Sequence, residues 1–101
     1  MNEKIYITVL HFEPSSSTLE AIRRDLARLF HQESPVGRLD VSLEGEYQNH
    51  TSISYHVTLR AQRPEDVLFE IKKGGQLLST VQAAADAMER RLRIPSATPT
   101  F

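Results

Sequence analysis

Cysteine is absent from this 101-residue chain, and so is tryptophan. Without thiols there is no disulfide framework and no thiolate metal site. That usage suits the cytosol, where we expect the protein to stay. Glycine is scarce, and the pair Gly74-Gly75 lacks the spacing of a phosphate-cradling loop. Long apolar runs are missing as well. No segment approaches the roughly 18 continuous apolar residues of a membrane helix. The stretch MNEKIYITVLHF has neither the apolar run nor the cleavage site of a secretory signal. Nor does either sign of charge dominate. Twelve Lys/Arg stand against 13 Asp/Glu, a net charge of −1. A gross electrostatic grip on nucleic acid is thereby excluded, and any such contact must come from local patches. The charge is uneven: residues 1–59 carry five Lys/Arg and eight Asp/Glu, residues 60–101 seven and five.

What is present fits one soluble domain. An apolar share of 40% and a charged share of 25% are ordinary for a globular chain. At this length, burial of about 60–65% of the unfolded surface is expected around a single core. We place the domain at residues 1–94, with 95–101 a disordered tail after Pro95.

Periodicity sets the elements. Ile5, Ile7 and Val9 alternate with Tyr6, Thr8 and Leu10, which predicts a strand from Lys4 to Phe12. Pro14 and three serines break it. Ser17 and Glu20 have capping-box spacing. Leu19, Ile22, Leu26, Leu29 and Phe30 then fall on one helical face, as far as about His31. Leu39, Val41 and Leu43 alternate with Asp40, Ser42 and Glu44, a second strand. Gly45 to Thr51 reads as a hairpin connection, and Ile53 to Arg60 as a third strand. After a turn at Gln62 to Asp66, Val67, Phe69 and Ile71 alternate with Leu68, Glu70 and Lys72 in a fourth. From Gln76 to Ile94 the period is helical again, with Leu77, Val81, Ala84, Ala85, Met88 and Leu92 as the apolar stripe. The order β-α-β-β-β-α predicts an α/β (α+β) two-layer sandwich. Its four-stranded mixed sheet carries both helices on one face, and the first strand runs parallel to the second through a helical crossover.

Catalytic constellations are not legible. His11, His31, His50 and His56 are scattered without metal-ligand spacing, and no base stands beside Ser15-Ser16-Ser17. Asp40, Glu44 and Glu70 are expected on the outward sheet face, where carboxylates are usually just solvated. We expect no enzyme activity, cofactor, metal or small-molecule substrate. Basic stripes are the remaining feature. Arg24, Arg28 and His31 share one outward face of the first helix, with Arg23 at its edge. Arg90, Arg91 and Arg93 crowd the last turn of the second, and Lys72-Lys73 end the fourth strand. Such cations also complement a helix dipole and solubilise a surface. With no stacking aromatics among them, a duplex- or phosphate-directed contact is the natural form.

Several segments together resemble a known family. Gln76 to Arg93 is similar to the second helix of the ribosome hibernation-promoting factor and ribosome-associated inhibitor family, with Leu77, Val81, Ala84, Met88, Glu89, Arg90, Leu92 and Arg93 in step. Ile7 to Ser15 resembles the family's first-strand segment, with His11 and Glu13 aligned. Leu26 to Leu29 and Asp40 to Glu44 resemble its first helix and second strand. Gln82 and Ala87 stand where the family carries an aspartate and a lysine. The resemblance, over about residues 4–94, implies a non-enzymatic factor of the short type. Such factors bind rRNA in the mRNA and tRNA channel of the small ribosomal subunit and rest ribosomes under stress. By position, Arg28, Arg90 and Arg93 would be its RNA contacts. Arg24, Arg91, Lys72 and Lys73 join them by surface geometry. The competing expectation is a protein-interaction module, with a homodimer as one form, docking through the outward sheet face around Tyr6, Leu10, His56 and Leu68 or through a strand edge.

Overall fold

The computed structural model describes residues 4–32 and 36–93. Strand β1 (Ile5–Leu10) leads to helix α1 (Ser16–Ala27), whose end tightens into a 3-10 turn at Arg28–His31. Three strands follow, β2 (Arg38–Tyr47), β3 (Ile53–Gln62) and β4 (Val67–Gly74), and then helix α2 (Leu77–Arg93). The sheet order is β1-β2-β3-β4. β1 lies parallel to β2, and the other neighbours are antiparallel. The four-stranded mixed sheet with two helices on one face is therefore as the periodicity predicts. The tail after Pro95 falls outside the described residues.

β1 stops where the backbone turns left-handed. His11 has φ of 71°, a conformation costly for a residue with a Cβ and incompatible with a continuing strand. Helix α1 is capped two residues earlier than the capping-box spacing suggests. Ser15 is the N-cap, and its Oγ accepts from the Thr18 N–H at 3.1 Å. The serine run offers three caps, and the one that lets Leu19, Ile22 and Leu26 face inward is used. The β2–β3 connection is also shorter than predicted. Gly45, Glu46 and Tyr47 belong to β2, and the turn is closed by Asn49, whose Oδ1 accepts from the N–H groups of Thr51 and Ser52.

The core lies between sheet and helices. Leu39, Leu43, Val57, Leu59 and Ala61 point into it from β2 and β3. Ile22, Leu26 and Leu29 meet them from α1 and its 3-10 extension, and Val81, Ala84, Ala85, Met88 and Leu92 from α2. Each fully buried leucine contributes about 1.5–3 kcal/mol. Ala84 and Ala85 carry only a methyl group, so no bulky side chain holds α2 away from the sheet there.

β4 departs from expectation. Its register pairs Leu68, Glu70 and Lys72 with Ala61, Leu59 and Val57, all of which face the helices. Glu70 and Leu68 are thus on the helix side, not the outward face. Val67, Phe69 and Ile71 are outward, 37%, 51% and 66% exposed. The register is fixed by the turn before the strand, where the Arg63 N–H donates to the Asp66 carbonyl at 2.9 Å. The more apolar half of the strand is left in solvent because β4 is an edge. Its inner side meets the last turns of α2, where Arg91 pairs with Glu70 at 3.1 Å.

Candidate nucleic-acid interface

The basic residues singled out in the sequence do not merge into one face. Apart from Arg24 and Arg90, they divide into three groups. The first sits in the seam between α1 and α2. Arg28 begins the 3-10 turn, which carries its guanidinium across to α2. There Nη2 donates to Asp86 Oδ1 at 2.7 Å, and Nη1 lies 3.5 Å from Glu89 Oε1. Asp25, one turn back, is 3.8 Å away. Partial burial would lower the Arg28 pKa, but the hydrogen bond to Asp86 and the surrounding carboxylates outweigh it and raise the value. Glu89 also accepts from the Gln32 side-chain amide at 3.0 Å and lies 3.8 Å from Arg93. Two of the expected contacts, Arg28 and Arg93, thus share carboxylates inside a cross-helix network.

The second group guards strand edges. Arg91 reaches from α2 to β4, where it donates to the Phe69 carbonyl as well as pairing with Glu70. Arg23 does the same at the other side of the sheet. Its Nη1 donates to the Ile5 carbonyl of β1 at 3.0 Å. An edge strand presents unpaired carbonyls, and a cation over one of them blunts the edge. These roles were not read from the sequence, and no local signal marks them, since the partner carbonyls belong to strands far along the chain.

The third group is the Lys72-Lys73 pair. Consecutive strand residues point to opposite faces. Lys72 is on the helix side, whereas Lys73 is on the open face, 3.4 Å from Glu46. His56 lies on that face too, 3.4 Å from the same carboxylate. The Lys73 hydrogen bond holds the Glu46 carboxyl below its ordinary range.

Among the described residues, Arg24, Arg90 and Lys72 have no ion-pair partner. Arg24 and Arg90 are exposed on the two helices, one on each. Like Lys72, they can take phosphate without first breaking a pair. Acidic Asp86 and Glu89 stand between α1 and the basic last turn of α2. The Glu89–Arg93 spacing of four residues was a readable signal of pairing. The Arg28–Asp86 contact, spanning 58 residues, was not.

The open sheet face is different in kind. Asp40 is shared by Arg38 and Arg60, each at 3.1 Å. Arg38 also stacks 4.3 Å above the Tyr6 ring, and His11 lies 3.4 Å from Glu44. These ion pairs cover β1 to β3, while β4 carries the exposed apolar row. The surface depressions among the described residues are wide and open, with nothing converging as in a catalytic cleft. One of them, about 480 Å³, is lined by Phe12, Pro14, Tyr55 and Leu77 among others.

This fold is shared with solved structures. The N-terminal domain of Protein Y from Thermus thermophilus superposes with a TM-score of 0.73, covering 89% of this chain and 96% of that one at 16% identity. A ribosomal subunit interface protein from Coxiella burnetii gives 0.71, over 88% and 92%, at 13% identity. No protein-family model matches the chain, and no curated protein matches it by sequence. The likeness is one of backbone and topology along almost the full length of both chains. No helix among the described residues is long and apolar enough to cross a membrane.

Proposed function

We propose that this protein associates with the ribosome in the cytoplasm, binding rRNA of the small subunit through its helix layer without catalysing a reaction. The observation supporting it is the fold match, which takes in 96% and 92% of the two solved chains and 89% and 88% of this one. The resemblance of Gln76 to Arg93 to the hibernation-factor helix is in keeping with it. On this reading the protein occupies the mRNA and tRNA channel and silences ribosomes under stress.

Arg24 and Arg90 are the leading phosphate contacts, because neither has to give up a carboxylate. Arg28 and Arg93 engage only as Asp86 and Glu89 release them. Lys72 adds a further charge on the helix side, and Arg91 and Lys73 remain with Glu70 and Glu46. The footprint is therefore small, a few phosphates, and the affinity modest and salt-sensitive.

Co-sedimentation with isolated small subunits at low salt tests this. The wild type should travel with the subunit, and Arg24→Glu with Arg90→Glu should leave it at the top of the gradient. Wild-type protein that stays at the top at low salt sinks the proposal.

A further inference from the structure

The ribosome reading engages the helix layer and leaves one depression on the other side unused. It lies at the end of the open sheet face where β1 and β2 begin and β3 finishes. Its volume is about 340 Å³, and Lys4, Tyr6, Arg38, Gln62 and Arg63 are among the residues that line it. Lys4 immediately precedes β1, and its carbonyl accepts from the Leu39 N–H at 2.9 Å. The alternation of the strand therefore puts Lys4 on the same side as Tyr6. The register sets Gln62 directly opposite Arg38.

Arg38 is held by one edge of its guanidinium. Nε donates to both carboxylate oxygens of Asp40, at 3.1 and 3.2 Å. One face of the plane lies over the Tyr6 ring, 4.3 Å from its centroid. The side chain is nevertheless 49% exposed, which leaves the opposite face open to solvent. Asp40 answers Arg60 as well as Arg38, so this group keeps one positive charge over. Lys4 is exposed and has no ion-pair partner among the described residues, and the exposed Gln62 amide has no hydrogen-bond partner among them. Arg63 is taken up by Asp66, with Glu65 nearby, and has no charge to spare.

We propose that this depression binds a purine nucleotide. The base stacks on the open face of Arg38 and completes a Tyr6–Arg38–base sandwich, the Gln62 amide meets the edge of the base, and Lys4 takes the phosphate. Guanidinium planes are good surfaces for unpaired bases. Stacking needs only the face, so Arg38 keeps its pair with Asp40. The fold has already fixed the plane, and little side-chain freedom remains to be lost on binding. Lys4 and Tyr6 stand two strand residues apart, about 6.6 Å, which suits a base and the phosphate of the same nucleotide. A free nucleotide and an unpaired nucleotide of an RNA strand share this chemistry.

Titration of the isotope-labelled full chain with AMP, adenosine and UMP to millimolar concentration, followed by amide chemical shifts, tests this. AMP should move the Tyr6, Arg38 and Gln62 signals saturably, and adenosine and UMP should bind several-fold more weakly. Arg38→Lys keeps the charge and loses the plane, and should weaken AMP by about fivefold or more, the low end of a stacking contribution. Lys4→Ala should bring AMP down to the affinity of adenosine and leave adenosine unchanged. Arg24→Glu with Arg90→Glu should leave AMP binding as it is, so this site stands or falls apart from the ribosome reading. A 5′-phosphorylated single-stranded oligoadenylate that binds more tightly than AMP through the same amides assigns the site to an RNA strand, and equal affinity assigns it to the free nucleotide. The proposal is overturned if neither ligand gives a saturable shift, if the shifts fall on α1 and α2 instead, or if Arg38→Lys binds AMP as the wild type does.

Discussion

Arg63 is a buried guanidinium with a side chain only 2% exposed. Burying a cation is costly unless its donors are satisfied. Asp66 meets it with both carboxylate oxygens, Nε to Oδ1 at 2.6 Å, while their backbones close the β3–β4 turn. Asp66→Asn removes the charge and one acceptor and leaves the guanidinium under-satisfied. A thermal melt should show a Tm lower by roughly 5–10 °C for a chain of this size. An unchanged Tm would mean that the Asp66 carboxylate does not hold the turn. The pair also carries a pH signature. The Arg63 hydrogen bonds hold the Asp66 carboxyl below the usual range. A carboxyl depressed on folding adds stability that is complete above its unfolded value and disappears as pH falls through the folded one. Acid titration of stability should therefore cost the wild type more than Asp66→Asn in that window. Parallel curves for the two proteins would contradict this origin.

The helices and strands are connected by a few close fits, and the β4–α2 junction is the tightest. A Cβ built on Gly74 collides with Thr80 Oγ1, whose hydroxyl donates to the Gln76 carbonyl at 2.6 Å in the first turn of α2. Gly74→Ala should cost about 1–3 kcal/mol in denaturant unfolding, as overpacking does. Adding Thr80→Ala should recover most of that loss. Gly74→Ala at wild-type stability would mean that the junction yields freely. The α1–α2 seam makes a functional prediction. Asp86→Asn with Glu89→Gln frees Arg28 and Arg93 from their carboxylates. Small-subunit affinity should rise several-fold at low salt, by about the energy of one added phosphate contact. The same variant should be somewhat less stable, because the cross-helix links are lost. Unchanged or weaker binding would place the interface away from this seam.

The whole molecule is one core between two layers, and most of that was legible. Strands β1 to β3 read directly because their inward residues are more apolar than their outward ones, and the helices read from three- and four-residue spacing. β4 misled for a physical reason. Its inward side meets the helix layer through the Arg91–Glu70 salt bridge, with Leu68 its one apolar residue packed on the core, so its other apolar residues were free to face out. Residue ranking assumes that burial follows hydropathy, and an edge strand with its own arginine guard breaks that assumption. The candidate interface was legible as a set of cations but not as a surface. Which arginines are free depends on carboxylates tens of residues away, as with Arg28 and Asp86. Arg23 and Arg91 were visible as charges, but the fold alone reveals them as covers for the edges of β1 and β4.

The proposed ribosome role is tested most directly by the salt dependence of binding, with labelled protein titrated by anisotropy against isolated small and large subunits. About three engaged phosphates give a log–log slope near −2 to −3 on the small subunit, and Arg24→Ala with Arg90→Ala should make it shallower by about two contacts. Binding that is absent at low salt, or that ignores salt and these two arginines, would contradict a helix-layer grip on rRNA.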